Sequence, residues 1–166
     1  GNGLLIPAGP LRESLNNLSK YKNIFLNGND ESIKPIKTAL SKIEKDLNYF
    51  DTKYNAININ NFNLKNSYVV FSGIGNHSTF IDMLYKNKFK IIKNIEFPDH
   101  YKYSEKDITK INLIAKKNDA TILTTEKDYL RLKEFDCENI KFIKSHLKIL
   151  NLEKLEKILN DSLKNF

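Results

Sequence analysis

The sequence has a single cysteine, Cys137, a single methionine, Met83, and no long apolar run. One thiol excludes an internal disulfide framework and fits a reducing compartment. Asp136 and Glu138 on either side of Cys137 disfavour the thiolate, so we read it as a bystander rather than a nucleophile. Runs such as Tyr68-Val69-Val70-Phe71 are far too short for a membrane span. The opening Gly1-Asn2-Gly3 lacks the basic-then-apolar order of a secretory signal. His77 and His146 have no partner at ligand spacing, and no His or Cys cluster could build a zinc site, so both are expected at the surface or in caps. Internal repeats are absent. Because the only methionine is Met83, we expect a fragment or processed product of a longer polypeptide.

What is present describes a soluble α/β protein. The 166 residues, 40% hydrophobic and 28% charged, suit one ordinary domain or two small ones with a real core. A net charge of +7 points to a polyanionic partner: a nucleic acid, a phosphorylated lipid or a nucleotide phosphate. Two features weaken that pointer. The lysines are interspersed with Asp and Glu, and they rise together with Asn and Ile, the bias of an AT-rich genome. Aromatic residues are not interleaved with the lysines on a single-strand platform, so no nucleic-acid partner is expected. A non-catalytic basic module on nucleic acid or anionic membrane stays as the alternative, and steep salt dependence of binding would identify it.

Taken in order, residues 1–64 hold a Pro7-Ala8-Gly9-Pro10 loop, a short helix starting at Leu11 with Pro10 at its first position, and a strand at Asn23 to Leu26. The lysine-rich stretch Ser32 to Asp46 contains Pro35 and is expected to be a broken element or loop. A strand over Tyr54 to Ile59 then leads to a second unit, residues 65–166. That unit alternates. The expected strands are Tyr68 to Phe71, Lys90 to Phe97, Thr121 to Thr124 and Ile140 to Ile143. Helices are expected over His77 to Lys88, Glu105 to Lys117, Glu126 to Leu132 and Leu152 to Leu163. This βαβαβαβα order implies a mostly parallel sheet with helices on both faces, a three-layer α/β fold.

Chemistry concentrates in Glu96-Phe97-Pro98-Asp99-His100-Tyr101-Lys102-Tyr103. Pro98 ends the strand, and Ser104 with Asp107 forms a capping box that opens the next helix. Asp99 and His100 therefore fall at the C-terminal end of a strand, where open α/β sheets bind ligands. His100 could act as a general base or orient one, although adjacent side chains in a sequence usually diverge. The loop Ser72-Gly73-Ile74-Gly75-Asn76 could receive a phosphate on its amides, but a Rossmann fingerprint needs glycine where Ser78 stands. A Gly-Lys-Ser/Thr loop occurs nowhere in the chain, so we read this one as a tight structural turn. Arg12 could grip a phosphate bidentately or pair with Glu13 on the surface. Thr124-Thr125-Glu126-Lys127-Asp128 reads as a helix cap, with Lys127 able to reach an anion.

Four blocks carry a family resemblance. They are Gly1 through Glu13, Ser72 through Asn76, Phe97 through Tyr103 and Thr124 through Asp128, and together the sequence resembles the tetraacyldisaccharide 4'-kinases of lipid A biosynthesis. The resemblance implies a P-loop NTPase-like core with a smaller C-terminal α/β domain, and an ATP- and Mg²⁺-dependent transfer to the 4'-hydroxyl of a lipid A disaccharide precursor. It also implies that the Walker A half lies N-terminal to Gly1. In that case this chain binds no cofactor tightly, holds no metal, is inactive alone, and works with the missing half at the cytoplasmic face of the inner membrane. By resemblance His100, next to Asp99, corresponds to the histidine that pairs with an aspartate outside this chain to activate the sugar hydroxyl. Arg12 corresponds to an arginine near the phosphates. Tyr101 stands where the family often has a second histidine.

Overall fold

The computed structural model describes residues 4–9, 11–28, 30–43, 47–135 and 137–164. In chain order its elements are β1 (Asn23–Asn27), α1 (Asp30–Ile43), β2 (Asn48–Ala56), β3 (Ser67–Ser72), α2 (His77–Lys86), β4 (Lys90–Glu96), α3 (Glu105–Lys117), β5 (Ala120–Thr125), α4 (Glu126–Arg131), β6 (Ile140–Ile143), β7 (Ser145–Ile149) and α5 (Leu152–Leu163). Short 3-10 turns occupy Leu15–Lys20 and Ile59–Asn61. The chain divides into two compact units, residues 1–53 with 147–166, and residues 54–146.

The unit of residues 54–146 is built on a four-stranded sheet in the order β4-β3-β5-β6, with every neighbouring pair parallel. Parallel neighbours need crossover connections, which α2, α3 and α4 supply. Strand β3 lies between β4 and β5 and is buried on both faces, which is why its sequence is a continuous apolar run rather than an alternation. Tyr68 and Val70 pack on one face with Phe80, Ile81 and Leu84 of α2. Val69 and Phe71 pack on the other with Ile108, Ile111 and Ala115 of α3. Each such buried side chain stabilises the unit by about 1.5–3 kcal/mol relative to exposure. The three-layer, mostly parallel α/β architecture expected from the sequence is therefore the one observed. The chain leaves β3 for β4 on one side and returns to β5 on the other, so the connections diverge at the C-terminal ends of β3 and β5.

In the unit of residues 1–53 and 147–166 the sheet order is β1-β2-β7, with β1 and β2 parallel and Phe25 paired opposite Phe50, their rings stacked at 5.2 Å. Three local expectations are corrected here. Where a broken element was expected, α1 is a continuous helix of 14 residues that contains Pro35. Ile33 and Leu40 bury a common face against Leu26 and Leu47, and that burial outweighs the roughly 3 kcal/mol that an interior proline costs a helix. The first helical turn begins at Leu15, where the Ser14 hydroxyl accepts from the Asn16 amide at 3.3 Å, so Arg12 precedes it; Pro10 lies outside the described residues. The strand expected at Tyr54 to Ile59 is instead the end of β2, which stops at Ala56.

Candidate functional site

The turn that follows β4 is shaped by its own hydrogen bonds. Phe97 donates its amide to the Ser72 carbonyl at 2.9 Å, extending the β4 pairing with β3 by one step. At His100 the backbone turns left-handed, with φ of 60°, a conformation costing an L residue on the order of 1–2 kcal/mol. Two acceptors hold it there: the His100 amide donates to the Gly73 carbonyl at 3.1 Å and to Asp99 Oδ1 at 2.9 Å. Behind the turn Phe97, Tyr101 and Tyr103 form an aromatic cluster, with ring centroids 4.8–5.4 Å apart, which seats on Phe71 of β3. The imidazole is thereby pushed outward, and its side chain is 72% exposed.

Beneath His100 lies an ion pair that sequence reading did not single out. Asp128, in α4, is fully buried and accepts from the Gly73 amide at 3.2 Å and the Thr125 hydroxyl at 2.7 Å. Its second oxygen accepts from Arg131 Nη1 at 3.1 Å, and the same Nη1 donates to the Gly73 carbonyl at 2.9 Å. The other arm of the guanidinium, Nη2, reaches His100 Nδ1 at 3.1 Å. The signal for this pair was the Asp-x-x-Arg spacing of residues 128 and 131, which places both on one helix face. Helix capping by Thr125, which was expected, is what turns Asp128 inward.

Asp99 and His100 do converge, with 3.8 Å between Asp99 Oδ2 and His100 Nε2. Arg12 is exposed and belongs to the other unit, after a loop closed by Ile6 and Leu11 through a 2.9 Å amide bond. Lys127 is exposed. His77, expected at the surface or in a cap, is instead buried at the start of α2, its Nδ1 2.6 Å from the Ser72 hydroxyl. Burial pushes its titration below the ordinary histidine value, against an opposing pull from the Glu96 and Asp128 carboxylates. Burial, then the Asp128 carboxylate, pushes the Tyr103 phenol upward, so it stays protonated.

The Gly73 loop does not offer a free cradle for a nucleotide triphosphate. The Gly73 amide is already occupied by a carboxylate of the chain itself, and a Cβ built on Gly75 would stand 3.2 Å from Asp99 Oδ2. The Gly73 amide is therefore not free to donate to a phosphate. Among the described residues no group of three His, Cys, Asp or Glu could hold a metal ion.

Comparison with known proteins places these features in one family. A family model described as tetraacyldisaccharide-1-P 4'-kinase matches residues 1–164. The tetraacyldisaccharide 4'-kinase of Pelagibacter ubique is 50% identical over 155 residues, covering 93% of this chain and 49% of that protein. The Rickettsia bellii protein of the same name is 38% identical over 146 residues, covering 80% of this chain and 40% of that protein. Among solved structures, LpxK of Aquifex aeolicus, crystallised in complex with ATP, superimposes with a TM-score of 0.58 at 25% identity, covering 95% of this chain and 47% of that one. The chain spans about half the length of the curated relatives it matches. With the match running through the His100 turn and the Asp128 helix alike, this chain belongs to the tetraacyldisaccharide 4'-kinase family.

Proposed function

We propose that the chain forms the C-terminal portion of a kinase that transfers the γ-phosphate of ATP to the 4'-hydroxyl of a tetraacylated glucosamine disaccharide 1-phosphate, a precursor of lipid A. The observation that carries this reading is an exposed imidazole, braced from beneath, just past the C-terminal end of β4 in the parallel sheet of a chain of this family. Phosphoryl transfer leaves the protein little covalent chemistry, so catalysis rests on positioning the hydroxyl and neutralising charge. His100 is the residue we assign to orienting the sugar hydroxyl, together with an acidic partner outside this chain. Asp99 shapes the turn and faces Nε2 of the same ring. Arg12 we assign to the phosphate-bearing side of the substrate.

ATP and Mg²⁺ are held, in this reading, by polypeptide beyond these 166 residues, because no Gly-Lys-Ser/Thr loop is present and the Gly73 amide is taken by the Asp128 carboxylate. The chain alone is then inactive. The acylated substrate places the enzyme on a membrane surface, peripherally on the cytoplasmic face of the inner membrane; no helix among the described residues is long and apolar enough to cross one.

The test is transfer of radiolabelled γ-phosphate to the tetraacyl disaccharide 1-phosphate by the full-length polypeptide carrying these residues. Replacing His100→Ala is expected to lower kcat by about 10²-fold or more, the loss of an orienting group. Transfer at the unaltered rate removes His100 from the mechanism.

A further inference from the structure

We propose that Arg131 is a positioning residue that fixes the tautomer of His100, keeping the neutral ring protonated on Nε2 and its lone pair on Nδ1. A guanidinium carries five N–H donors and no acceptor, so a nitrogen bonded to it must present a lone pair. Arg131 Nη2 lies 3.1 Å from His100 Nδ1. The single proton of the neutral imidazole therefore sits on Nε2, the nitrogen facing the Asp99 carboxylate at 3.8 Å.

For such a bond to dictate a tautomer the arginine must itself be immobile, and the structure supplies the means. Nη1 is held by the Gly73 carbonyl at 2.9 Å and by Asp128 at 3.1 Å. Exposure falls from 72% at the His100 side chain to 23% at Arg131 and zero at Asp128, so the chain of bonds runs from the buried end of α4 to an accessible ring. The Gly73 carbonyl accepts from both the Arg131 side chain and the His100 amide, which ties the ring to its own backbone turn. An exposed imidazole would otherwise exchange freely between tautomers and rotamers.

This inference deepens the proposed function and rests on it for its catalytic meaning. While Arg131 is seated, the outward nitrogen of His100 is a hydrogen-bond donor, suited to holding a carboxylate or an anionic oxygen. It accepts no proton from the hydroxyl at Nε2. Arg131 touches no substrate in this scheme and acts through His100 alone.

The decisive experiment on the chain itself is long-range ¹H–¹⁵N correlation of the histidine rings at about pH 9, where an ordinary histidine with a pKa of about 6.5 is neutral. The His100 signals are assigned by their loss in His100→Gln. The expected result is a fixed Nε2–H tautomer in the unaltered chain, relaxing in Arg131→Met toward the averaged pattern of a ring free to exchange. A proton on Nδ1, or identical averaged patterns in both proteins, overturns the proposal.

The second arm is kinetic, in the full-length enzyme. Arg131→Met should lower kcat by about 10- to 100-fold with KM little changed, and Arg131→Lys, which keeps a cationic donor, should recover part of the loss. On a His100→Ala background Arg131→Met should cost nothing further. Independent, multiplying losses would overturn action through His100. The two readings fail separately: an active His100→Ala enzyme defeats the assigned role of His100, whereas an inactive His100→Ala enzyme beside a fully active Arg131→Met one defeats only the role of Arg131. Should Arg131→Met fold poorly, the spectrum of the unaltered chain and the behaviour of Arg131→Lys still decide.

Discussion

At the scale of single residues, Gly73 is where the site is most tightly built. A Cβ there would stand 3.0 Å from the Tyr103 hydroxyl oxygen and 3.2 Å from the Pro98 carbonyl oxygen. The carbonyl belongs to the backbone of the His100 turn and cannot step aside without moving the imidazole. Gly73→Ala is therefore expected to cost about 1–3 kcal/mol, read as a lower urea midpoint at unchanged slope, and an unaltered midpoint would show that the turn yields freely. His77 makes a different prediction. Its neutral form is favoured in the folded state because burial lowers its titration, so the folded and unfolded chains bind protons alike above about pH 6.5. Below that the unfolded chain binds the extra proton, and stability falls on acidification, by up to about 1.4 kcal/mol per pH unit. His77→Gln should flatten that part of the stability profile. The Asp107 carboxyl contributes in a separate window, since Ser104 holds it below its ordinary value and its contribution is lost only as pH falls through the carboxylate range.

At the scale of elements, α3 shows how a local signal aims a distant group. Ser104 accepts the Asp107 amide at 3.3 Å, while Asp107 Oδ2 accepts the Ser104 amide at 2.9 Å and hydroxyl at 2.6 Å. The same oxygen accepts the Tyr101 hydroxyl at 3.3 Å, which connects the helix start to the aromatic cluster beneath His100. Ser104→Ala is expected to destabilise the protein by about 1 kcal/mol and to let the Asp107 carboxyl titrate closer to its ordinary value. Chemical denaturation and a carboxyl NMR titration check the two halves of that statement. The boundaries of α3 were legible because this capping box and the apolar spacing of Ile108 and Ile111 are local. Leu113, which the sequence also counted on the apolar face, is exposed, and Ala115 is buried instead. Strand β7 was not legible. Its side chains are nearly all exposed, so no alternation marks it, and it is a strand because it lies beside β2 in the sheet.

At the scale of the whole molecule, apolar burial is unevenly shared. Strand β3 stands between two clusters in the unit of residues 54–146, whereas the other unit gathers its buried residues around Leu26, Ile33, Leu40 and Leu47. Opening free energy follows buried apolar contact, so amides of β3 and β5 should exchange most slowly with solvent, and those of α1 and β1 sooner. Slowest exchange in α1 would contradict this.

The sequence by itself determined the layered α/β plan built on β3, β4, β5 and β6, since strand and helix periods, caps and turns all act over a few neighbouring residues. It also determined the strand-end position of His100, because Pro98 and the capping box bracket it. It misjudged α1, where a proline rule was overruled by burial against distant side chains. Only the tertiary structure decided that Asp128 faces inward, that Arg131 meets His100 across 31 positions of chain, and that His77 is buried beside Ser72. The physical reason is that hydrogen bonds between groups far apart in sequence form only after the sheet has brought the ends of β3, β4 and β5 together, and no local pattern of residue types encodes which partners will then meet.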